Sequence, residues 1–211
     1  MPPSFAPIIA VSPSQPEDEV LQRAVDVFKK GGVVAFPTDT LYGIGCMFGE
    51  SQAIQRIQTM RGFDIAERPL TFLLPDLGEL PRYALVTDSS YSVMRKIFPG
   101  PYCAELLAGP AIPAPFVNQD RRTIGVRIPG TALCEKILWS LGKPLLSATA
   151  KSLSGDTLVS AAEIQREYGK SLDLILDAGT LSGPPSTVVS LAGDWITVIR
   201  EGRGPSNKLI G

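Results

Sequence analysis

Histidine is absent from the 211 residues of this sequence. Without imidazole, the chain cannot use histidine as a general acid or base, form a Ser/His catalytic triad or build a His-containing metal site. Cysteine is scarce as well: Cys46, Cys103 and Cys134 are too far apart in sequence for a metal-binding motif. Their odd number is typical of reduced thiols in the cytosol. An enzyme made from this chain must therefore work by positioning its substrates and by electrostatics.

The sequence also lacks an excess of charge of either sign, and it lacks long apolar runs. Its 20 Lys and Arg residues nearly balance 21 Asp and Glu residues, so any nucleic-acid contact must come from a local basic patch. No stretch is long and apolar enough to cross a bilayer, and the N-terminus has no basic segment followed by an apolar one. We therefore expect a soluble cytoplasmic protein with no membrane partner.

The segment FPTDTLYGIG, residues 36–45, joins a predicted strand to a cluster of hydroxyl groups and glycines. Residues 33–36 (VVAF) are apolar and follow two glycines, which indicates a buried strand. Thr38, Thr40 and Tyr42 come shortly after it. Because hydroxyls donate and accept hydrogen bonds and glycines let a backbone approach a ligand, a ligand site at this strand end is one interpretation. A polar turn with a helix cap is the other.

Strand and helix patterns alternate along the chain, which predicts an α/β fold. The predicted strands are residues 8–11, 33–36, 70–74, 102–107, 124–128, 144–149, 172–176, 187–191 and 196–199. The predicted helices are residues 16–30, 51–61, 88–98, 131–141 and 161–168. Because the last two strands follow each other closely, we expect a mixed sheet. The prediction is one domain, residues 1–211, with a twisted, open, mixed sheet covered by helices and residues 33–36 at its centre.

Four clusters of small polar or basic residues lie at the ends of predicted strands. Taken singly they are weak support for a site, because Ser and Thr commonly form turns and an arginine at a strand end is more often solvated. The clusters are Thr38, Thr40 and Tyr42; Thr123 and Arg127; Ser147 and Thr149 with residues 152–155; and Ser186 and Thr187, followed by Arg200. Since open α/β sheets bind ligands at strand ends, we expect one member of each to share a cavity: Thr40, Arg127, Ser147 and Ser186.

These segments resemble, in the same order, the motifs of the YrdC/YciO family, whose characterised members are threonylcarbamoyl-AMP synthases. FPTDTLYGIG is similar to the family's PTDTxYGxG motif, and TIGVRIP, residues 123–129, is similar to its TxxxRxP motif. SAT, residues 147–149, and the SG after it resemble an SAN-type loop, and PSTVV (185–189) and REG (200–202) complete the set. The resemblance covers nearly the whole chain and is greatest to the YciO branch. It implies a YrdC-like α/β fold, similar to double-stranded-RNA-binding modules.

The resemblance implies a nucleotidyltransferase that makes threonylcarbamoyl-AMP and pyrophosphate from L-threonine, bicarbonate or CO2, and ATP, for the biosynthesis of tRNA N6-threonylcarbamoyladenosine. Mg²⁺ would accompany ATP, held mainly by phosphates and water, and a downstream threonylcarbamoyl transferase would receive the product. Arg61 and Thr40 are implied in catalysis. The implied threonine-binding residues are Thr38, Thr40, Tyr42, Arg127, Ser147 and Ser186. The implied ATP-binding residues are Arg61, Thr123, Thr149, Gly155 and Arg200.

Two departures from the family pattern fall on the nucleotide side. Where the family has K-x-R-P, Arg61 takes the place of the lysine and Phe63 that of the following arginine. Arg68 could supply the second cation if the loop folds back. Thr149 replaces the asparagine of the SAN element, and Phe72 stands where the family has a histidine. The resemblance therefore supports threonine binding better than efficient turnover of ATP.

A second interpretation is a protein of the same fold that binds tRNA or other double-stranded RNA and has little or no synthase activity. Phosphate contacts need clustered cations, not a positive net charge. The same cations could equally be solvated surface residues. A carbamoyl-phosphate-linked maturation factor is disfavoured, because such proteins carry this module beside other domains. The residues that could form a basic patch are Arg121, Arg122, Arg127, Lys151 and Arg203.

Overall fold

The computed structural model describes residues 5–62, 68–193 and 195–209. Its strands are β1 (Ile8–Ala10), β2 (Val34–Pro37), β3 (Tyr42–Met47), β4 (Thr71–Leu73), β5 (Tyr102–Leu107), β6 (Thr123–Arg127), β7 (Leu145–Thr149), β8 (Leu174–Asp177), β9 (Thr187–Ser190) and β10 (Thr197–Arg200). Within the described residues they form one sheet in the order β1-β8-β2-β3-β7-β4-β6-β5-β9-β10. Four neighbouring pairs are parallel and five are antiparallel, so the predicted mixed sheet is confirmed.

Helices occupy the predicted positions to within two residues at each end. Those in the described ranges are α1 (Asp18–Lys29), α2 (Ser51–Arg61), α3 (Asp88–Ile97), α4 (Ala132–Leu141) and α5 (Ala161–Tyr168). Local sequence explains the bounds of α4: the Thr131 hydroxyl accepts a hydrogen bond from the Cys134 N–H, and Gly142 ends the helix at a φ of 61°. In the part of the chain that the structure describes, no helix is long and apolar enough to cross a membrane.

Strand β2 lies inside the sheet, between β8 and β3. All four of its residues are buried, and so is Val33 before it. The predicted burial of this apolar run on both faces is therefore confirmed. Its position differs slightly from the prediction, because β2 is third from the β1 edge and not midway across the sheet.

Strand β3 was not predicted from the sequence. It pairs antiparallel with β2, from Val34 opposite Gly45 to Pro37 opposite Tyr42, so the polar motif forms a hairpin turn between two strands. In the sequence, Gly43 and Gly45 of β3 resemble turn residues, but in the structure they allow β3 to pack closely against β7. A Cβ at Gly43 would lie 2.9 Å from the Ser147 Oγ, and one at Gly45 would lie 2.7 Å from the Leu146 carbonyl oxygen.

The two faces of the sheet are covered differently. Alternate strand residues such as Tyr42, Ile44 and Leu146 pack on α2, α3 and α5 in the larger hydrophobic core. On the opposite face, α1 and α4 cover only part of the sheet, in a second core that includes Phe36 and Leu145. Because strand side chains alternate between faces, the remainder of this face presents small and polar residues: Gly43, Ser147, Thr149, Thr71 and Arg127.

Candidate active site

A cavity of about 670 Å³ opens over this polar part of the sheet. Ten of the eleven site residues predicted from the sequence line it, although they come from widely separated parts of the chain. These ten are Thr38, Thr40, Tyr42, Arg61, Arg127, Ser147, Thr149, Gly155, Ser186 and Arg200. The structure thus brings together nearly the whole predicted set, and the roles of these residues in binding and catalysis stay predictions.

The turn between β2 and β3 is fixed by its own threonines. The Thr38 hydroxyl donates to the Leu41 carbonyl at 2.7 Å, and the Thr40 N–H donates to the Thr38 Oγ1 at 3.1 Å. Both threonines are buried, with exposed fractions of 7% for Thr38 and 2% for Thr40. The Thr38 hydroxyl proton is therefore used within the turn, and the Thr40 Oγ1 lies 3.1 Å from the Thr38 Oγ1.

Thr40 lies at the meeting point of three distant segments. Its Oγ1 accepts a hydrogen bond from the Arg127 Nη1 at 3.2 Å and lies 3.5 Å from the Ser186 Oγ. Ser147, on the neighbouring strand β7, lines the same cavity and is buried. Three hydroxyls and one guanidinium therefore form a compact polar cluster, suited to the polar atoms of a small amino acid.

Asp39 lies in the motif turn but was not among the site residues predicted from the sequence. Its carboxylate forms an ion pair with the Arg127 Nη2, and the two side chains are only 13% and 12% exposed. The only sequence signal was its place between the two motif threonines. Because the Arg127 side chain is only 12% exposed and is paired with Asp39, it differs from the exposed cations of the RNA-binding surface patch proposed from the sequence.

The other four members of that predicted patch are exposed: Arg121, Arg122, Lys151 and Arg203. Arg121 is paired with Glu105 at 3.4 Å, and Arg203 donates to the backbone carbonyls of Asp39 and Ser182. Lys151 also lines the cavity. RNA binding through these cations stays a prediction.

Positive charge dominates the cavity wall. Five cationic side chains line it, and no Asp or Glu does so among the described residues: Arg61, Arg68, Arg127, Lys151 and Arg200. Burial, and next the nearby charge of Arg68, lower the pKa of Arg61 to about 10. Arg61 therefore stays charged at neutral pH, in surroundings that an anion would stabilise.

Arg68 lines the cavity together with Arg61, and the residues between them, 63–67, lie outside the described part of the chain. Phe63, which takes the place of the family's second arginine, lies outside the described residues. Arg200 also lines the cavity and donates to the Ser186 carbonyl at 2.9 Å. Gly155, with a φ of 95°, lines it from the loop that follows β7. This set is suited to a polyanion such as a triphosphate.

Two predicted contacts do not fit the structure. The Tyr42 hydroxyl donates to the Gly179 carbonyl at 2.7 Å and accepts from the Ala178 N–H at 2.9 Å. Burial raises its pKa to about 12. Tyr42 thus holds β3 to the end of β8, and its hydroxyl is not available to a substrate.

Thr123 is the one predicted residue that does not line the cavity. It begins β6, where it pairs with Leu107, whereas Arg127 ends the same strand. Four residues of strand span about 13 Å, so only the arginine end of the TxxxRxP segment reaches the cavity. Thr123 is buried, with 2% of its surface exposed, and it does not line the cavity, so the structure gives no support to the expected contact with ATP.

Within the described residues, a mixed ten-stranded sheet carries a hydroxyl-rich and cation-lined cavity on its open face, which defines the class as an α/β protein with one polar cavity on its sheet. The model of the Sua5/YciO/YrdC family, described as "Telomere recombination", matches residues 26–202. The chain belongs to this family, which confirms the resemblance read from the sequence.

Relatives and solved structures agree with this assignment. The chain is 33% identical over 196 residues to the uncharacterised protein YciO of Escherichia coli, covering 92% of this chain and 94% of YciO. The crystal structure of that YciO superposes with a TM-score of 0.89 at 31% identity, covering 98% of this chain and all of YciO. A threonylcarbamoyl-AMP synthase of Vibrio vulnificus is 32% identical over 160 residues, covering 74% of this chain and 84% of the synthase.

A threonine complex is known for one structural relative. The crystal structure of P. abyssi Sua5 complexed with L-threonine superposes with a TM-score of 0.87 at 25% identity. The match covers 98% of this chain and 61% of the Sua5 chain. Family members thus include named threonylcarbamoyl-AMP synthases and a threonine-binding protein of the same fold.

Proposed function

We propose that this protein is an L-threonylcarbamoyladenylate synthase, a nucleotidyltransferase that converts L-threonine, bicarbonate or CO2, and ATP into threonylcarbamoyl-AMP and pyrophosphate. The observation that carries the proposal is one cavity lined by two chemically different groups of side chains. One group is the hydroxyls around Thr40, with the Arg127 guanidinium that contacts them, and the other is cations such as Arg61. We assign the first group to an amino-acid end of the cavity and the second to a nucleotide end. An amino acid and a nucleotide require such a division, and catalysis by positioning requires that they share one cavity.

Threonine would bind among Thr40, Ser147 and Ser186, with its carboxylate toward Arg127. Asp39 already uses the Arg127 Nη2, and Thr40 uses the Nη1. The Arg127 Nε is buried and has no hydrogen-bond partner within the described residues. A bound carboxylate would meet the guanidinium through its remaining N–H groups, as charge-assisted hydrogen bonds.

ATP would bind at the cationic end. Arg61 and Arg68 would meet the phosphates, with the Thr149 hydroxyl and the backbone near Gly155 as further donors. Arg200 also lines the cavity and donates a hydrogen bond to the Ser186 carbonyl. Arginines aimed at the phosphates would stabilise charge that develops during transfer of the adenylyl group.

Mg²⁺ would enter as the companion of the triphosphate. Among the described residues, no group of three or more Cys, Asp or Glu side chains is close enough to hold a metal ion. Phosphate oxygens and water would therefore supply its ligands, as is usual for this ion in nucleotide sites. The bound ion would neutralise part of the phosphate charge.

The proposed chemistry has two steps. The threonine nitrogen first forms a bond to the carbon of bicarbonate or CO2, and water or a proton leaves, which gives a carbamate. A carbamate oxygen then bonds to the α-phosphorus of ATP, and the bond to the β-phosphate oxygen breaks as pyrophosphate departs. The protein would hold the reactants and stabilise phosphate charge. A threonylcarbamoyl transferase acting on tRNA would consume the product.

The test is to incubate the purified protein with Mg·ATP, L-threonine and labelled bicarbonate, and to assay labelled threonylcarbamoyl-AMP together with pyrophosphate. Both products should form in equal amounts and only when threonine is present. Arg127→Ala should lose activity, whereas Arg121→Ala, which changes an arginine outside the cavity, should keep it. Absence of product at high protein concentration, with threonine still bound, would contradict the proposal. RNA binding that weakens with salt would then indicate the binding-protein alternative.

A further inference from the structure

Arg203, which follows β10, links two segments that carry or flank the site. Its Nη1 donates to the Asp39 carbonyl at 2.9 Å, and its Nη2 donates to the Ser182 carbonyl at 2.7 Å. Its backbone N–H donates to the Pro185 carbonyl at 2.7 Å. One side chain thus joins the hairpin turn of the motif to the loop that leads into Ser186.

The backbone around Arg203 is itself held in place. The Thr187 hydroxyl donates to the Gly204 carbonyl at 2.5 Å and accepts from the Gly202 N–H at 2.9 Å. Neither glycine has room for a side chain: a Cβ at Gly202 would lie 2.2 Å from the Pro185 carbonyl oxygen, and one at Gly204 would lie 2.5 Å from the Tyr102 ring. The backbone on either side of Arg203 is therefore held in place, so the Arg203 side chain extends from a fixed Cα position.

Asp39 connects Arg203 to Arg127: its backbone carbonyl accepts a hydrogen bond from Arg203, and its carboxylate pairs with Arg127. Thr40, which also contacts Arg127, follows Asp39 directly in the same turn. We propose that Arg203 is a positioning residue for the amino-acid end of the cavity, which fixes the turn so that Asp39 and Thr40 orient Arg127. This inference rests on the proposed function, because it takes threonine as the ligand of that end.

The test compares Arg203→Met with Arg56→Met. Methionine has an unbranched apolar side chain similar to the aliphatic part of arginine, but it has no hydrogen-bond donor. Arg56 is a matched control, because it also donates to a carbonyl, that of Ser171 at 2.6 Å, and pairs with Asp173, but it does not line the cavity. Two quantities are measured for each protein: amide hydrogen exchange in residues 38–42, and the dissociation constants of L-threonine and ATP.

In Arg203→Met, exchange in residues 38–42 should be at least about tenfold faster, and the threonine dissociation constant should rise about tenfold, as expected for the loss of one hydrogen bond from a charged donor. ATP affinity should stay within about twofold, and Arg56→Met should change none of these. Arg203→Lys should give intermediate values, because one ammonium group replaces a two-pronged donor.

The outcomes separate this inference from the proposed function. Native exchange rates in Arg203→Met would overturn the positioning role, whatever the protein binds. Faster exchange in Arg203→Met but not in Arg56→Met would support it even if the native protein bound no threonine, and that lack of binding would count against the proposed function alone. Faster exchange with unchanged threonine affinity would overturn the link between the turn and the ligand.

Discussion

The carboxylate of Asp39 and the guanidinium of Arg127 form an ion pair across 88 positions of sequence, between a hairpin turn and the end of β6. With side chains 13% and 12% exposed, the pair is largely removed from water. The Asp39 Oδ2 and the Arg127 Nε have no partner in the described part of the chain. Because a paired guanidinium is held in one orientation, Asp39 determines which donors of Arg127 face the cavity.

Asp39→Asn should destabilise the fold and weaken threonine binding. Removing one partner of a buried pair leaves an uncompensated charge, which costs about 3–5 kcal/mol. Asparagine keeps an acceptor near the guanidinium, so we expect a smaller loss, roughly 1–3 kcal/mol in the free energy of unfolding. Urea denaturation measures this loss, and calorimetric titration measures threonine affinity.

Glu105→Gln is the control for that variant, since it neutralises the carboxylate of another Asp/Glu–Arg pair. The Arg121 side chain of that pair is 62% exposed and its N–O distance is 3.4 Å, so its loss should cost less than about 1 kcal/mol. If Asp39→Asn lost no more stability than Glu105→Gln and bound threonine normally, the orienting role of Asp39 would be wrong.

Arg127→Ala should weaken threonine binding by about 1.5–3 kcal/mol, the usual value of a hydrogen bond to a charged group. ATP affinity should change much less, because Arg61 and Arg68 also line the cavity and would still bind the phosphates in the variant. Separate titrations with threonine and ATP measure the two effects. Equal weakening of both ligands would show that Arg127 does not distinguish the two ends of the cavity.

Periodic apolar patterns predicted most of the fold, and the reason that they failed at β3 is physical. In β3, Tyr42, Ile44 and Cys46 face the core, but glycines occupy the alternate positions because β7 approaches closely there. Glycine also marks turns, so the sequence could not distinguish the two roles. The ordered motifs, by contrast, did predict which segments meet at the cavity.

Individual contacts were predicted less well than segments. Thr123 and Arg127 belong to one motif, but they lie at opposite ends of β6, about 13 Å apart, and only Arg127 lines the cavity. Tyr42 and Gly43 are neighbours, yet successive strand residues face opposite sides of the sheet. The pairing of Asp39 with Arg127 depends on long-range geometry, which no local pattern specifies.

Gly43→Ala should disturb the amino-acid end through Ser147. The added Cβ would lie 2.9 Å from the Ser147 Oγ and 3.4 Å from the Phe36 ring, so the serine must move. Overpacking of this kind typically costs about 1–3 kcal/mol of stability, and we expect about tenfold weaker threonine binding from the loss of one hydrogen bond. Thermal denaturation and threonine titration measure the two effects.

Two further variants test the cause. Gly193→Ala should be neutral, since a Cβ there has no neighbour within 4 Å. In the double variant Gly43→Ala/Ser147→Ala, stability should recover because the crowded hydroxyl is gone, while threonine affinity should stay low. Failure of the double variant to recover stability would show that Phe36, and not Ser147, is the residue displaced.

Arg68→Gln should slow product formation more than it changes threonine affinity. Arg68 lines the cavity with Arg61 and lowers its pKa, so it is placed to supply the second cation that the family's K-x-R-P element provides. Loss of a donor to developing charge commonly costs on the order of 10²-fold in rate. The measurement is kcat for threonylcarbamoyl-AMP formation, with the threonine dissociation constant determined in parallel.

Phe63→Arg tests whether Arg68 replaces the arginine that the family has in its K-x-R-P element, or whether the site lacks that cation. If Arg68 fills the second position, adding an arginine at residue 63 should change kcat by less than about twofold in the native background. The same substitution should restore much of the activity in Arg68→Gln, because either arginine would then stabilise the phosphates. A large gain from Phe63→Arg alone, with no loss in Arg68→Gln, would show that the native site lacks this cation and that the altered loop makes the enzyme slow.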